Sequence, residues 1–344
     1  MKKLQYIEFA RGFAALLVVL HHATLDAPAF YGDSPFGNFF LFGSAGVDFF
    51  FVLSGFIIYY VHANDTPTFD NIKRYAIKRL IRVYPIFLFV SVILLGAYLF
   101  LPQWSPKSDI IDFSYLTTSF LLLPSEEGRL LSVSWTLVHE MFFYMVFVLM
   151  ILNKRIGTIV FLLWGLLIIV TNLFFHKMAF PNSFYLSQFN LEFLLGVLVA
   201  FLIKSNRVKF LKKYPAYIAL IGIMIFVLNG INVDYSLLSL NSFLTTMIYG
   251  LSASAILFGA TLLGHPKKEY KTLLLLGAAS YSIYLIHNPL QSVLHRIIRS
   301  LDLQAMISPN IIFILIVILC VLAGIMLHLW VEKPLLRYLR DKFL

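Results

Sequence analysis

Cysteine is almost missing from this chain. The one thiol, Cys320, lies inside a late apolar run and excludes an intramolecular disulfide framework. Charge is scarce too: 13% of the 344 residues are charged, where soluble domains carry about 25%. Hydrophobic residues make up 60%, and mean hydropathy is +0.85. That balance excludes an ordinary soluble enzyme and marks an integral membrane protein. No metal set is expected, because the histidines are dispersed, and His139-Glu140 lacks the second histidine of an H-E-x-x-H spacing. No internal repeat, low-complexity linker or appended soluble domain stands out. What is abundant is aromatic: 34 Phe and 18 Tyr fit spans with interfacial belts. The start, MKK before an apolar run and Ala27-Pro28-Ala29, imitates a signal peptide. Glu8 and Arg11 interrupt the would-be apolar region, and the run is long enough to span, so it reads as a retained first helix.

Runs able to cross a core of about 30 Å lie at 4–24, 38–62, 84–101, 132–152, 156–175, 186–203, 214–229, 240–264, 272–295 and 310–331. The expected fold is all-α and polytopic, with ten spans in one domain over 1–344. The seventh run is short. Residues 114–123 are apolar but too short to span, which suggests a re-entrant or interfacial piece. With the N-terminus in the cytoplasm, the inner segments hold 21 Lys and Arg. The outer loops hold only Lys107, Arg129, Lys177, Arg296 and Arg299. That asymmetry places both termini inside. The net charge of +10 is therefore mainly a topology signal, and no nucleic-acid partner is expected.

Against this apolar background, ionisable residues inside spans are costly, at about 2.5–3.5 kcal/mol near the bilayer centre, and usually mark a pathway or a site. Arg11 and His22 are eleven residues apart in the first span, so they share a helix face and lie about 16 Å apart along it. The alternative is that Arg11 snorkels to the headgroups while the histidines sit at the opposite interface. In the assumed topology His22, Glu140, Glu192 and His287 fall in the outer half, with Arg11 and Asp48 deeper. Asp48 could simply neutralise Arg11, and Glu192 could cap or pair structurally. His139 must face away from the site if its neighbour Glu140 faces it. His328 reads as an interfacial histidine, and Gly43, Gly46 and Gly55 as points of close helix packing. The segment FDNIKRYAIKRLIRVYP, read as a cytoplasmic loop ending on the third span, differs in kind. Its Lys78, Arg79 and Arg82 are three or four apart, so on a short helix they present neighbouring cations. Such a cluster suits a phosphate-bearing ligand or anionic lipid, and spacing alone does not separate the two.

These residues sit in blocks that resemble the acyltransferase-3 family of membrane enzymes. The blocks are R-x10-H at Arg11 and His22, GVDFFFVLSGFII (46–58), K-R-x-x-R-x-x-P ending at Pro85, SWTLVHEMFFY (134–144), LEFLLG (191–196), SYSIYLIHNP (280–289) and VEKP (331–334). They occur in the family's order and run nearly end to end. The resemblance implies a ten-helix inner-membrane enzyme that moves an acyl group, most often acetyl, from cytoplasmic acyl-coenzyme A to sugars of exported polysaccharides or glycolipids. A chain ending at Leu344 resembles the stand-alone, polysaccharide-modifying members.

On that reading His22 is the general base or a transient acyl carrier, since an imidazole titrating near pH 6.5 accepts a proton close to neutrality. Glu140 orients His22 or binds the acceptor. Arg11 holds the donor or the developing oxyanion. Arg79 and Arg82, with Lys78, bind the phosphates of acetyl-coenzyme A, and Asp48, Trp135, Glu192, Tyr281 and His287 are supporting residues. The implied partners are membrane lipid, a polysaccharide or lipid-linked saccharide acceptor, and a second copy or polysaccharide-assembly machinery. The competing class is a transporter or flippase for a lipid-linked sugar, with the buried charges as a proton relay; such folds often carry inverted repeats and broken helices, which are not evident here.

Overall fold

The structure is a computed structural model that describes residues 4–32, 35–107, 110–175, 178–205, 208–266 and 268–344. Of the cations counted above, Lys2, Lys3, Lys177, Arg207 and Lys267 lie outside the described residues. Among those described, ten helices are long and apolar enough to cross a membrane, one for each expected run. They are built on α1 (Gln5–Tyr31), α2 (Ala45–His62), α3 (Phe69–Phe100), α5 (Trp135–Leu152), α6 (Lys154–Phe174), α8 (Gln188–Ser205), α9 (Pro215–Tyr235), α10 (Ser242–Leu263), α11 (Lys271–Ser300) and α12 (Pro309–Leu327). Three shorter helices complete the set: α4 (Phe113–Phe120), α7 (Asn182–Tyr185) and α13 (Lys333–Phe343).

Several boundaries differ from the sequence reading for physical reasons. The basic segment before Pro85 is not a loop. Thr68 caps α3 by accepting from the Asn71 N–H at 3.4 Å, and the helix then runs through Pro85 into the third span without a break. The seventh span is complete over Pro215–Tyr235. Asn229, Asn232 and Asp234 lower its hydropathy, yet all three are buried within the protein. The tenth span continues past α12 through a π-helical turn, His328–Glu332, into α13. The segment near 114–123 forms α4, whose N-terminus is capped by Asp112 accepting from Tyr115 N–H at 2.6 Å. Its eight residues span about 12 Å, too little to cross.

Contacts divide the chain into two compact units, one of residues 1–61 and 191–326, the other of 62–190 and 327–344. In the first, α1 and α11 run in parallel, with Gly277 against the Glu8 carbonyl and Gly12 against Leu276. Ala15, Val19, Ala23, Ala279, Ile283, Ile316 and Cys320 fill the core that α1, α11 and α12 share. Small residues let backbones approach where lipid supplies no hydrophobic drive between helices. A Cβ on Gly43 or Gly46 would meet carbonyls of α1 at 2.2 and 2.3 Å, so the α1 crossing requires both glycines. A Cβ on Gly55 of α2 would meet the Phe193 carbonyl of α8, and one on Gly196 of α8 the Val52 carbonyl of α2, at 1.9 Å each. In the second unit, α5 and α6 form a hairpin closed by Gly157 on Met150. There α3 is tied to α5 by the Tyr75 hydroxyl, which donates to the Tyr144 carbonyl at 2.9 Å.

Candidate active site

The first unit holds the histidine stripe. His22 and His287 meet across the α1–α11 seam, His22 Nδ1 to His287 Nε2 at 3.2 Å, with ring centroids 4.9 Å apart. His22 Nδ1 also contacts the Val18 carbonyl at 3.1 Å, and His287 Nδ1 contacts the Tyr284 carbonyl at 2.7 Å. His22 is half-buried and His287 fully buried. One turn along α11, Gln291 Nε2 donates to the Val19 carbonyl at 2.9 Å and clamps the same seam. His21 turns elsewhere: its Nδ1 donates to the Leu41 carbonyl at 2.6 Å, fastening α1 to the 3₁₀ turn before α2. Tyr281 lies on α11, half-buried. At the other end of the stripe, Arg11 pairs with Glu8 at 3.2 Å.

The ion pair recorded for Arg11 is with Glu8, and the neighbour recorded for the Asp48 carboxyl is Glu192. Asp48 lies two residues beyond Gly46, which packs on α1, so it points about 200° away from that contact and faces the Glu192 carboxyl. Asp48 and Glu192 each stand one turn before the α2–α8 glycine contact, at Val52 and Gly196, on the faces that meet there. Their exposures are 6% and 0%. Asp234, which the sequence reading passed over, accepts from the Phe42 N–H at 2.7 Å at the entry to α2.

The second unit gathers the remaining candidates. Arg79 lies over Tyr75 and Tyr144 at 5.8 and 5.7 Å from the ring centroids. Its Nη2 donates to His62 Nε2 at 3.2 Å, while His62 Nδ1 donates to Asp65 at 2.6 Å. The Arg79 Nε is buried without a hydrogen-bond partner, an orphan donor of the kind an anionic ligand satisfies. Arg82 differs from it. Its Nη1 bonds Glu332 at 3.1 Å, and the 1%-exposed Glu332 also takes His328 Nδ1 at 2.7 Å. Arg82 thus anchors the π-helical turn. Lys78, half-buried, follows one turn after Arg74 on α3. Glu140 accepts a short hydrogen bond from the Tyr144 hydroxyl one turn on. Trp135 is partly exposed, its ring 5.1 Å from Phe189 and 5.9 Å from His139. His139 itself is buried and bonded to Asn190 at 3.0 Å, a structural placement. Among the described residues no group of three or more His, Cys, Asp or Glu could hold a metal.

Helical spacing could have revealed Tyr144, four residues after Glu140, and Gln291, four after His287. The Arg82–Glu332 pairing spans 250 residues of sequence and left no local signal.

An all-helical, multi-pass architecture with histidine and arginine inside its spans defines a membrane protein equipped for polar chemistry, and comparison gives its class. Residues 4–330 match the family model described as acyltransferase domain, and the chain belongs to that acyltransferase family. It is 28% identical over 330 residues to the exopolysaccharide production protein ExoZ of Rhizobium meliloti (strain 1021), covering 90% of this chain and 94% of that one. No solved structure matches it. The protein is a multi-pass membrane acyltransferase, and its family implies an acyl donor.

Proposed function

We propose that this protein is an O-acyltransferase of the inner membrane, with both termini cytoplasmic, that carries acetyl from acetyl-coenzyme A to a sugar hydroxyl of an exported polysaccharide or glycolipid. The observation that carries this reading is a family match running through nearly every span, together with a half-buried His22 on the α1–α11 seam. The likeness to a protein named for exopolysaccharide production supports a saccharide acceptor. The Lys and Arg asymmetry supports the topology.

In this mechanism His22 Nε2 takes the proton of the acceptor hydroxyl while that oxygen attacks the thioester carbonyl carbon. The C–O bond forms, the C–S bond breaks, and the departing thiolate recovers the proton from His22 Nε2. The products are an ester and the free coenzyme thiol, and the base is regenerated. Arg11, paired with Glu8, supplies positive charge to the donor or the oxyanion. Arg79, close to two tyrosine rings and with an open Nε, is the best-suited phosphate ligand of the basic cluster. Arg82 and Lys78 add charge beside it, and Arg82 is chiefly committed to Glu332. Glu140 bonds acceptor hydroxyls, with Trp135 as an aromatic contact for the sugar. Asp48, Glu192 and Tyr281 support the spans that carry these groups.

The test is the polysaccharide itself. Cells expressing the protein should export glycan bearing acetyl esters that mild alkali removes, and cells lacking it should not. Identical acyl content in the two would overturn the proposal.

A further inference from the structure

The His22–His287 contact fixes more than a distance. A carbonyl oxygen only accepts, so the contact with Tyr284 puts the His287 proton on Nδ1. The contact with Val18 likewise puts a proton on His22 Nδ1. Two ring nitrogens 3.2 Å apart need one donor and one acceptor between them. His287 Nε2 must therefore be bare, and it accepts from His22 Nδ1–H. It follows that the lone pair of neutral His22 is on Nε2, the ring nitrogen turned away from His287. The Val18 carbonyl alone would hold this tautomer weakly, because it also receives the helical N–H of His22. His287 has little freedom to give way: it is fully buried, tied to Tyr284 one turn back, and followed one turn on by the Gln291 clamp to Val19.

We propose that His287 is a positioning residue, which holds His22 in the Nδ1–H tautomer and shares the positive charge when His22 Nε2 takes up the hydroxyl proton. The role is that of the third group in a nucleophile–base–orienter arrangement, filled here by a neutral imidazole. His287 exchanges no proton with substrate. It keeps the basic nitrogen aimed outward and accepts a stronger hydrogen bond from the imidazolium than from the imidazole. This inference rests on the reading of His22 as the base.

The test compares His287→Gln with His287→Asn in the full-length protein, reconstituted with acetyl-coenzyme A and the glycan acceptor. A glutamine amide oxygen reaches the place of Nε2, and an asparagine oxygen falls short of it. Asparagine also leaves a cavity at this fully buried site, so melting temperature reads the structural cost of each variant separately, and kcat of the folded protein reads the positioning role. The Asn variant should lose about 10²-fold or more in kcat, with KM for acetyl-coenzyme A unchanged. The Gln variant should recover at least about tenfold of that loss, and a donor-binding titration confirms that both variants are folded. Equal activity of the two variants, or a change confined to KM, overturns the inference while leaving His22 as the base. Wild-type transfer by His22→Ala overturns the underlying reading, a separable result.

Discussion

Replacing Gly55 or Gly196 by alanine should push apart the helix pair that carries a buried acid pair. A Cβ on either glycine would sit 1.9 Å from a backbone carbonyl oxygen of the opposing helix, Phe193 or Val52, where ordinary contact begins at 3.4 Å. Neither obstacle is a flexible side chain that can swing aside, so α2 and α8 must separate by about 1.5 Å or shear past one another. Overpacking of this kind costs about 1–3 kcal/mol, and the shift is transmitted one turn away to Asp48 and Glu192. The assay is the melting temperature of the purified protein in detergent, with Gly96→Ala as the reference substitution. A Cβ on Gly96 meets no atom within 4 Å, and an alanine in a helix interior stabilises by about 0.4–1 kcal/mol. The two contact glycines should therefore melt lower than the parent by several degrees, and Gly96→Ala should melt at or above it. Equal melting of all three variants would refute the close α2–α8 packing.

Three further outcomes separate the roles of neighbouring residues. Arg79→Lys keeps the charge but loses the fork with its open Nε, so acetyl-coenzyme A should bind about tenfold more weakly by equilibrium titration, while Arg82→Lys leaves donor affinity nearly unchanged. Glu332→Ala removes the carboxylate that Arg82 and His328 share at the π-helical turn and should cost about 1–3 kcal/mol of stability, the partial exposure of Arg82 keeping it below a fully buried pair. His21→Ala removes the bond to Leu41 and should lower the melting temperature by the equivalent of about 1–2 kcal/mol, with transfer by the folded fraction intact.

The ten spans were legible because an apolar run of sufficient length has few other uses. The Arg11–His22 stripe was legible because both residues belong to one helix, where spacing alone fixes the shared face. Packing between helices was not. Charge alone leaves Asp48 free to neutralise Arg11 or to serve elsewhere; Gly46 turns α2 so that the carboxyl faces Glu192. The basic run before Pro85 read as a loop because proline and charge both suggest a boundary. A Thr68 cap and a chain of helix formers carry α3 straight through it. The seventh span looked short because hydropathy counts Asn229, Asn232 and Asp234 as exposed, whereas each is buried against protein. The separation of Arg79 from Arg82 depends on Glu332, which no local pattern links to α3.

The most direct measurement is acetyl transfer by purified, full-length His22→Ala, followed as coenzyme thiol released in the presence of acceptor glycan. Removal of the base should lower the rate by about 10²- to 10⁴-fold, with acetyl-coenzyme A binding and melting temperature close to those of the parent. Transfer at the parent rate by a variant that binds donor normally would contradict the assignment of the chemistry to His22.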